Sequence, residues 1–285
     1  MRAFDPEVGD AIWAAIEPLV PVPVETHPLG CHRPRTPDRD CFDVILVRLA
    51  TGCSWEDAER LCGNKVSDTT VRDRRDEWID AGVFDAIANE AIAAYDRVIG
   101  LDLSDVAVDG SLHKSPCGGE GTGPNPTDRA KLGWKWSVLT DRAGIPFGWT
   151  VDGANRNDSI LLAPTLDDAA GRGLLAEIDT LWLDRGYDSD ATRGRLDDRG
   201  IDDAVIARKR KRGSTEPVNK NQPMGLRWPV ERTNSWLSNY GQLRRNTDRR
   251  TIHRLAQFAL AVAFLLTAKL IDWRNRWSQH PSPIR

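Results

Sequence analysis

The chain has 285 residues, enough for one large domain or for one large and one small, and its 28% charged and 40% apolar residues are ordinary for a soluble folded protein. Five cysteines, odd in number and without a CxxC pair, argue against a disulfide framework or a structural zinc site and for reduced thiols in a cytosol. The net charge of −3 hides an asymmetry: between Ala204 and Arg254 thirteen Lys and Arg stand against three Asp and Glu, a local +10 that leaves −13 for the remainder.

The N-terminus lacks a basic region followed by an apolar core, so no secretory signal is expected. Asp10 to Leu19 reads as a short helix with Ile12, Trp13, Ile16 and Leu19 on one face, followed by a Pro-rich connector and the basic stretch Arg33-Pro34-Arg35, an arm over DNA or a solvated linker. From Asp40 the apolar spacing is helical: Phe42, Ile45, Leu46 and Leu49 fall on one face, and Gly52 ends the helix. Ser54-Trp55-Glu56-Asp57 is a capping-box start for a second helix with Ala58, Leu61 and Cys62 inward. Gly63-Asn64 predicts a turn, and Ser67 caps a third helix to Ala81 with Val71, Trp78 and Ile79 inward. Thr69, Thr70, Arg72, Arg74 and Arg75 are expected outward. Helix, tight turn, then a helix with hydroxyls and Arg on its first half is a helix-turn-helix layout, which makes Thr69, Thr70, Arg72 and Arg75 the candidate DNA contacts.

Phe84 to Val98 predicts one more helix, after which the period changes to two. Val106-Ala107-Val108-Asp109-Gly110 and Leu181-Trp182-Leu183-Asp184-Arg185-Gly186 each read as an apolar strand ending on Asp and a Gly turn. Such an Asp is commonly a turn or cap residue. Two of them at strand ends, where α/β proteins place chemistry, suggest a shared divalent-metal site. Between them, Lys114 to Arg129 is Gly- and Pro-rich and reads as a mobile loop, and Lys131–Thr140 with Ile145–Asp152 predicts a β-hairpin around 141–144. Trp134, Trp136 and Trp149 on that hairpin are read mainly as core residues, with stacking on displaced bases the other role open to them. Ser159–Ala170 and Asp190–Arg199 read as helices, and Ile178–Asp184 and Ala204–Ile206 as strands. The predicted fold class is α/β: a mixed, RNase H-like sheet flanked by helices and preceded by an all-α, helix-turn-helix-like domain, with residues 1–100 as the DNA-binding part and 101–285 as the catalytic part.

The run Arg208, Lys209, Arg210, Lys211 and Arg212 repels itself unless something neutralises it, and phosphate is its natural partner beside a phosphate-cutting site. From Arg227 a helix carries Trp228, Val230, Thr233, Trp236, Leu237 and Tyr240 on an apolar stripe, and Glu231, Asn234, Ser235 and Ser238 on a polar one. Arg244, Arg245, Arg249, Arg250 and Arg254 follow. Leu255–Ile271, 17 residues interrupted by Gln257 and Lys269, predicts a buried core helix, not a membrane span. Asp109, Asp184 and Glu231 form a hard oxygen set suited to Mg²⁺ or Mn²⁺, two ions per site, in phosphoryl transfer. None of the five His residues adjoins this triad in sequence.

These motifs resemble those of bacterial DDE transposases of the insertion-sequence-five family over nearly the whole chain. Arg33-Pro34-Arg35 through Thr51-Gly52-Cys53-Ser54-Trp55 is similar to the family's N-terminal "RPR…TGCxW" pattern. Val108-Asp109-Gly110-Ser111, Leu183-Asp184-Arg185-Gly186-Tyr187-Asp188 and Val230-Glu231-Arg232-Thr233-Asn234-Ser235-Trp236-Leu237 are similar to its three catalytic motifs. The resemblance implies that Asp109, Asp184 and Glu231 are metal ligands, with Arg227 and Arg232 facing phosphate. It further implies double-stranded DNA partners (terminal inverted repeats and target DNA) and a homodimeric synaptic assembly. A bacterial, nucleoid-associated cytoplasmic location is expected. Where the wider group carries Tyr seven residues before the Glu and a basic residue seven after it, this chain has Met224 and Ser238. A transposase-derived DNA-binding protein without catalysis is the alternative reading.

Overall fold

The computed structural model describes residues 5–22, 35–207 and 228–278, which divide into two compact units. One gathers Met1–Ile99, Leu237–Asn246 and Ile252–Arg285; the other gathers Gly100–Trp236 and Thr247–Thr251.

The first unit is helical. Helix α1 (Pro6–Ile16) starts at the Asp5 cap and runs into a 3₁₀ turn over Glu17–Leu19. Helices α2 (Asp38–Thr51), α3 (Trp55–Leu61) and α4 (Asp68–Asp80) follow, the last two started by Ser54 and Ser67, whose hydroxyls accept the N–H of Asp57 and Thr70. Helix α5 (Val83–Val98) continues the set. Helix α10 (Thr251–Ser278) supplies the spine of the core: Phe258, Ala259, Leu260, Ala261, Val262, Ala263, Phe264 and Leu266 are all buried, and Phe264 stacks on Phe42 of α2 at 6.3 Å. By length and composition α10 could cross a membrane, but 61% of its apolar window is buried within the protein, as the core-helix reading expects. The end of α2 touches the start of the short helix α9 (Gly241–Arg244) backbone to backbone. A Cβ on Gly52, which sits at φ +76°, would lie 2.8 Å from Gly241 C, and one on Gly241 would lie 2.2 Å from Thr51 C. Only glycine fits at either position.

The second unit is built on a mixed sheet: β1 (Asp105–Lys114), β2 (Gly123–Pro124), β3 (Leu132–Thr140), β4 (Pro146–Gly153), β5 (Thr180–Leu183) and β6 (Ala204–Ile206). Strand β4 and the short β2 both pair with β3, and from β3 the order runs β3-β1-β5-β6. The pairs β1/β3 and β3/β4 are antiparallel, whereas β1/β5 and β5/β6 are parallel. A three-strand meander beside two parallel strands is the RNase H-like order that the sequence predicts. Helix α6 (Asp158–Gly171), capped by Asn157, covers β3 and β4, and α7 (Asp190–Asp197) packs on α6. The hairpin turn is closed by Asp141, whose buried carboxylate accepts the N–H of Ile145 (2.6 Å) and of Asp102 (3.2 Å). Trp134, Trp136 and Trp149 are all buried, so they pack the core.

The first strand runs five residues past Asp109, and the segment after it is not a featureless loop. Besides β2, it holds an Asn125 side chain that accepts from the Thr127 backbone and hydroxyl, and Glu120 N–H donates to Arg249 O at 2.7 Å.

Candidate active site

Val106, Ala107 and Val108 are buried and carry β1 through the middle of the sheet, so Asp109 emerges half-buried just beyond them. On the parallel neighbour, Ala107 pairs with Trp182. Two residues further along the same register stands Asp184, whose backbone (φ −78°, ψ 176°) is still extended. Side chains two apart share a face, so Asp109 and Asp184 project from the same face of neighbouring strands, whose axes lie roughly 4.8 Å apart. One Asp184 oxygen accepts the Gly186 N–H at 2.5 Å, which caps the 3₁₀ turn Arg185–Tyr187 and fixes where the carboxylate points.

Glu231 is exposed on α8 (Trp228–Leu237), and that helix is tied to the sheet at two places. The Ala143–Gly144 turn docks on its first half. Arg232 donates to Ala143 O, and Thr233 Oγ1 donates to Gly144 O at 2.5 Å. Gly144 has φ +77°, and a Cβ there would sit 2.9 Å from Pro229 O. The second tie is Asn234, one helical turn beyond Glu231. Its amide Nδ2 donates to Asp109 Oδ2 at 3.2 Å, and its Oδ1 accepts from Trp136 Nε1–H at 2.7 Å. The residue bonded to Asp109 is therefore i+3 from Glu231, on the same helical face. The opposite stripe is as predicted at Val230, Thr233, Leu237 and Tyr240, which are buried, but Trp228 is 55% exposed.

Further polar groups surround the two aspartates. Tyr187 is buried, and burial together with the carboxylates of Asp158, Asp109 and Asp184 holds its phenol well above its ordinary pKa. Asp158 is neutralised in turn by the buried Lys135, whose ammonium donates to it at 2.7 Å and to Arg156 O at 2.9 Å. His113 stacks on Trp136 at 3.7 Å and shares a hydrogen bond with Ser111; burial pushes its pKa down to about 3, so the ring is neutral at physiological pH. Among the described residues no three His, Cys, Asp or Glu side chains converge closely enough to form a preassembled metal cage. The donor set nonetheless fits a hard divalent cation. Asp109 and Asp184 are half-exposed carboxylates on one face, and Glu231 is exposed to solvent, so all three can offer oxygen ligands. Lys135, Asp158, Tyr187 and Asn234 were not singled out by the sequence for this neighbourhood. Two of them left a signal there: Asn234 by its position on the polar stripe with Glu231, and Tyr187 by lying inside the motif that carries Asp184.

The candidate DNA contacts fare differently. Thr69 and Arg72 are exposed on α4, Thr70 is half-buried, and Arg244 and Arg245 are exposed. Arg74 and Arg75 are not outward but buried: Arg74 is ion-paired with Asp38 and Glu77, and Arg75 bonds Asp76 at 2.9 Å and lies over the Trp55 ring. Leu61, expected inward, is 67% exposed at the end of α3. Arg35 is held by Glu77 at 2.9 Å. Arg232 lies between the rings of Trp228 (4.4 Å) and Trp236 (4.6 Å). Arg208, Lys209, Arg210, Lys211, Arg212 and Arg227 lie outside the described residues, as do Arg33 and Pro34.

The sheet is RNase H-like, with Asp109 within β1 and Asp184 just past the end of β5, and the family matches agree with that fold. Residues 100–267 match the family described as "Transposase DDE domain", and residues 8–88 match "Putative transposase of IS4/5 family". The chain belongs to the DDE transposase family. It is 41% identical over 137 residues to a protein of Burkholderia cepacia named "Putative transposase for insertion sequence element IS402", a match covering 45% of this chain and 60% of that one. The chain thus spans less than two thirds of that relative. A second Burkholderia cepacia protein, "Insertion element IS402 uncharacterized 16.2 kDa protein", is 34% identical over 123 residues, 42% of this chain and 82% of that one. A solved structure, "Crystal structure of the Mos1 mariner paired end complex with Mn", aligns over 92% of this chain and 83% of that chain at 10% identity, with a TM-score of 0.29 that is too low to bear on mechanism.

Proposed function

We propose that this chain is a DNA transposase that hydrolyses a phosphodiester at the ends of a mobile element and directs the freed 3′-OH at target DNA. The observation that carries the reading is the position of the family's three acidic motifs: Asp109 and Asp184 at one register on neighbouring strands, and Glu231 one turn from the residue bonded to Asp109. In this reading the three carboxylates hold Mg²⁺, or Mn²⁺ in its place, as two ions per site. Such ions activate the attacking oxygen and stabilise the leaving one in an in-line displacement. The chain's own residues hold and orient the DNA around them. Arg208 to Arg212, Arg227, Arg232, Arg244 and Arg245 neutralise phosphates, and Thr69, Thr70, Arg72 and Arg75 belong to the part that recognises the terminal inverted repeats. Arg75 is buried over the Trp55 ring and supports that part without reaching DNA, whereas Arg232 stays half-exposed between Trp228 and Trp236. In this reading residues 1–100 serve DNA binding and 101–285 catalysis, with Leu237–Asn246 and Ile252–Arg285 folding into the helical unit. Two ends must be held together, so the working form is a homodimer or larger synaptic complex, acting on the bacterial nucleoid.

The test is Mg²⁺-dependent cleavage of a plasmid carrying the gene's native flanking DNA by wild type and Asp184→Ala. Nicks at defined ends should appear with the wild type and fall at least about 10³-fold in the variant, while DNA affinity changes little. Equal cleavage by the two proteins would remove Asp184 from the chemistry. The second reading is a transposase-derived DNA-binding protein without catalysis. Specific binding with no cleavage in either metal would establish it.

A further inference from the structure

We infer that Asn234 is a positioning residue for Asp109, and that it does this work because Trp136 fixes the polarity of its amide. The inference rests on the reading of Asp109 as a metal ligand. Asn234 is only 8% exposed although it belongs to the polar stripe of α8, and both ends of its amide are engaged on the sheet, to Trp136 of β3 and Asp109 of β1. An asparagine amide can be turned either way, but an indole N–H can only donate. The Trp136 N–H therefore demands the oxygen of Asn234, and the NH₂ is left facing Asp109. In that orientation it donates to one carboxylate oxygen and restrains the rotation of the side chain about its own bond. Turned the other way, the amide oxygen would repel the carboxylate.

Trp136 is itself held. It is fully buried, stacked face to face on the neutral His113 ring and edge-on to Trp134 at 5.4 Å. The polarity of the amide thus derives from a rigid aromatic stack and not from solvent. The same two hydrogen bonds dock α8 on the sheet one turn beyond Glu231, so one side chain sets both the direction of Asp109 and the approach of Glu231. Outer partners of metal ligands commonly contribute about 10–100-fold in metal affinity or activity.

The experiment compares full-length wild type, Asn234→Ala, Trp136→Phe and Asp109→Ala. It measures Mn²⁺ binding without DNA by calorimetry, DNA affinity, and single-turnover cleavage at saturating DNA. Asn234→Ala should bind Mn²⁺ about 10-fold or more weakly and cleave correspondingly more slowly, with DNA affinity within about twofold of wild type. Trp136→Phe, which keeps a ring on His113 and removes the N–H, should move both readouts in the same direction by less. Wild-type Mn²⁺ affinity in both variants overturns the inference. If Asn234→Ala does not fold, Trp136→Phe decides alone: weakened Mn²⁺ binding supports the inference and unchanged binding overturns it. Loss of Mn²⁺ binding in Asp109→Ala without loss in Asn234→Ala and Trp136→Phe refutes only the positioning role, whereas full Mn²⁺ binding by Asp109→Ala removes the metal reading of that residue and this inference with it.

Discussion

The charges that distinguish the two units sit in different places, although the sheet unit also buries Lys135 and Asp141. The helical unit takes cations into its interior: Arg48, Arg74, Arg75 and Arg254 are all at most 6% exposed, and the first three lie against carboxylates or over the Trp55 ring. The sheet unit leaves Asp109 and Asp184 half-exposed and Glu231 exposed. A buried ion is tolerated only when partners replace its water, so its position records the fold. Accessible carboxylates need no such partners, and the hydrogen bonds of Asp109 with Asn234 and of Asp184 with Gly186 orient them without neutralising them. The contrast separates charges that the fold requires from charges that the proposed metal site would use.

The strongest break of this comparison is in the helical unit. Arg74 is shared between Asp38 and Glu77, and Glu77 also holds Arg35, so two cations and two carboxylates join the start of α2 to α4. Removing a carboxylate leaves a cation at 5% exposure with one partner fewer. Asp38→Asn is expected to lower stability by about 3 kcal/mol, read as a shift in the denaturant midpoint, with wild-type cleavage per folded molecule. A wild-type midpoint would mean that Arg74 is satisfied without Asp38.

The next effect is smaller and lies in the sheet unit, at an acid that is structural. Burial raises the Asp141 carboxyl to about 6, partly offset by the backbone N–H groups it accepts from Ile145 and Asp102. Its folded pKa lies above the ordinary carboxylate value near 4, so between those two pH values the folded state holds more proton than the unfolded one. Its contribution is complete below about pH 4 and is lost as pH rises to about 6. The stability of wild type relative to Asp141→Asn should therefore fall by about 2 kcal/mol between pH 4 and 7. A flat difference across that window would show that the carboxyl titrates normally.

Much of this was legible in the sequence, and the failures have one physical source. Cap residues such as Ser54 and Ser67, the turn at 141–144 and the strand end at Asp184 all appear where local chemistry puts them, because each depends on a few neighbouring residues, whereas β1 runs on past Asp109. Burial of polar side chains depends on what arrives from far along the chain. Val71, Arg74, Arg75 and Trp78 share one helical stripe by spacing alone, yet charge argued for placing the two arginines outside. The partners that let them stay inside are Asp38 and Trp55, dozens and tens of residues away, as well as the nearby Glu77 and Asp76. Asn234 follows the same rule: its stripe was polar, but its partners Trp136 and Asp109 lie on strands about a hundred residues upstream.

The finest discrimination falls within α4, where Arg72 and Arg74 are two residues apart and face opposite environments. Arg72 is exposed and pairs with Asp68 one turn earlier, an interaction that solvent screens. Arg72→Ala should therefore leave the denaturant midpoint within about 0.5 kcal/mol of wild type. If its guanidinium meets a phosphate, the slope of log affinity for the element's ends against log salt should shrink by about one. Arg74→Ala should do the reverse, lowering the midpoint while leaving the salt slope of the folded fraction unchanged. Equal salt slopes for wild type and Arg72→Ala would mean that the exposed face of α4 does not touch DNA phosphate, and the search for the recognition surface would then move to Arg244 and Arg245.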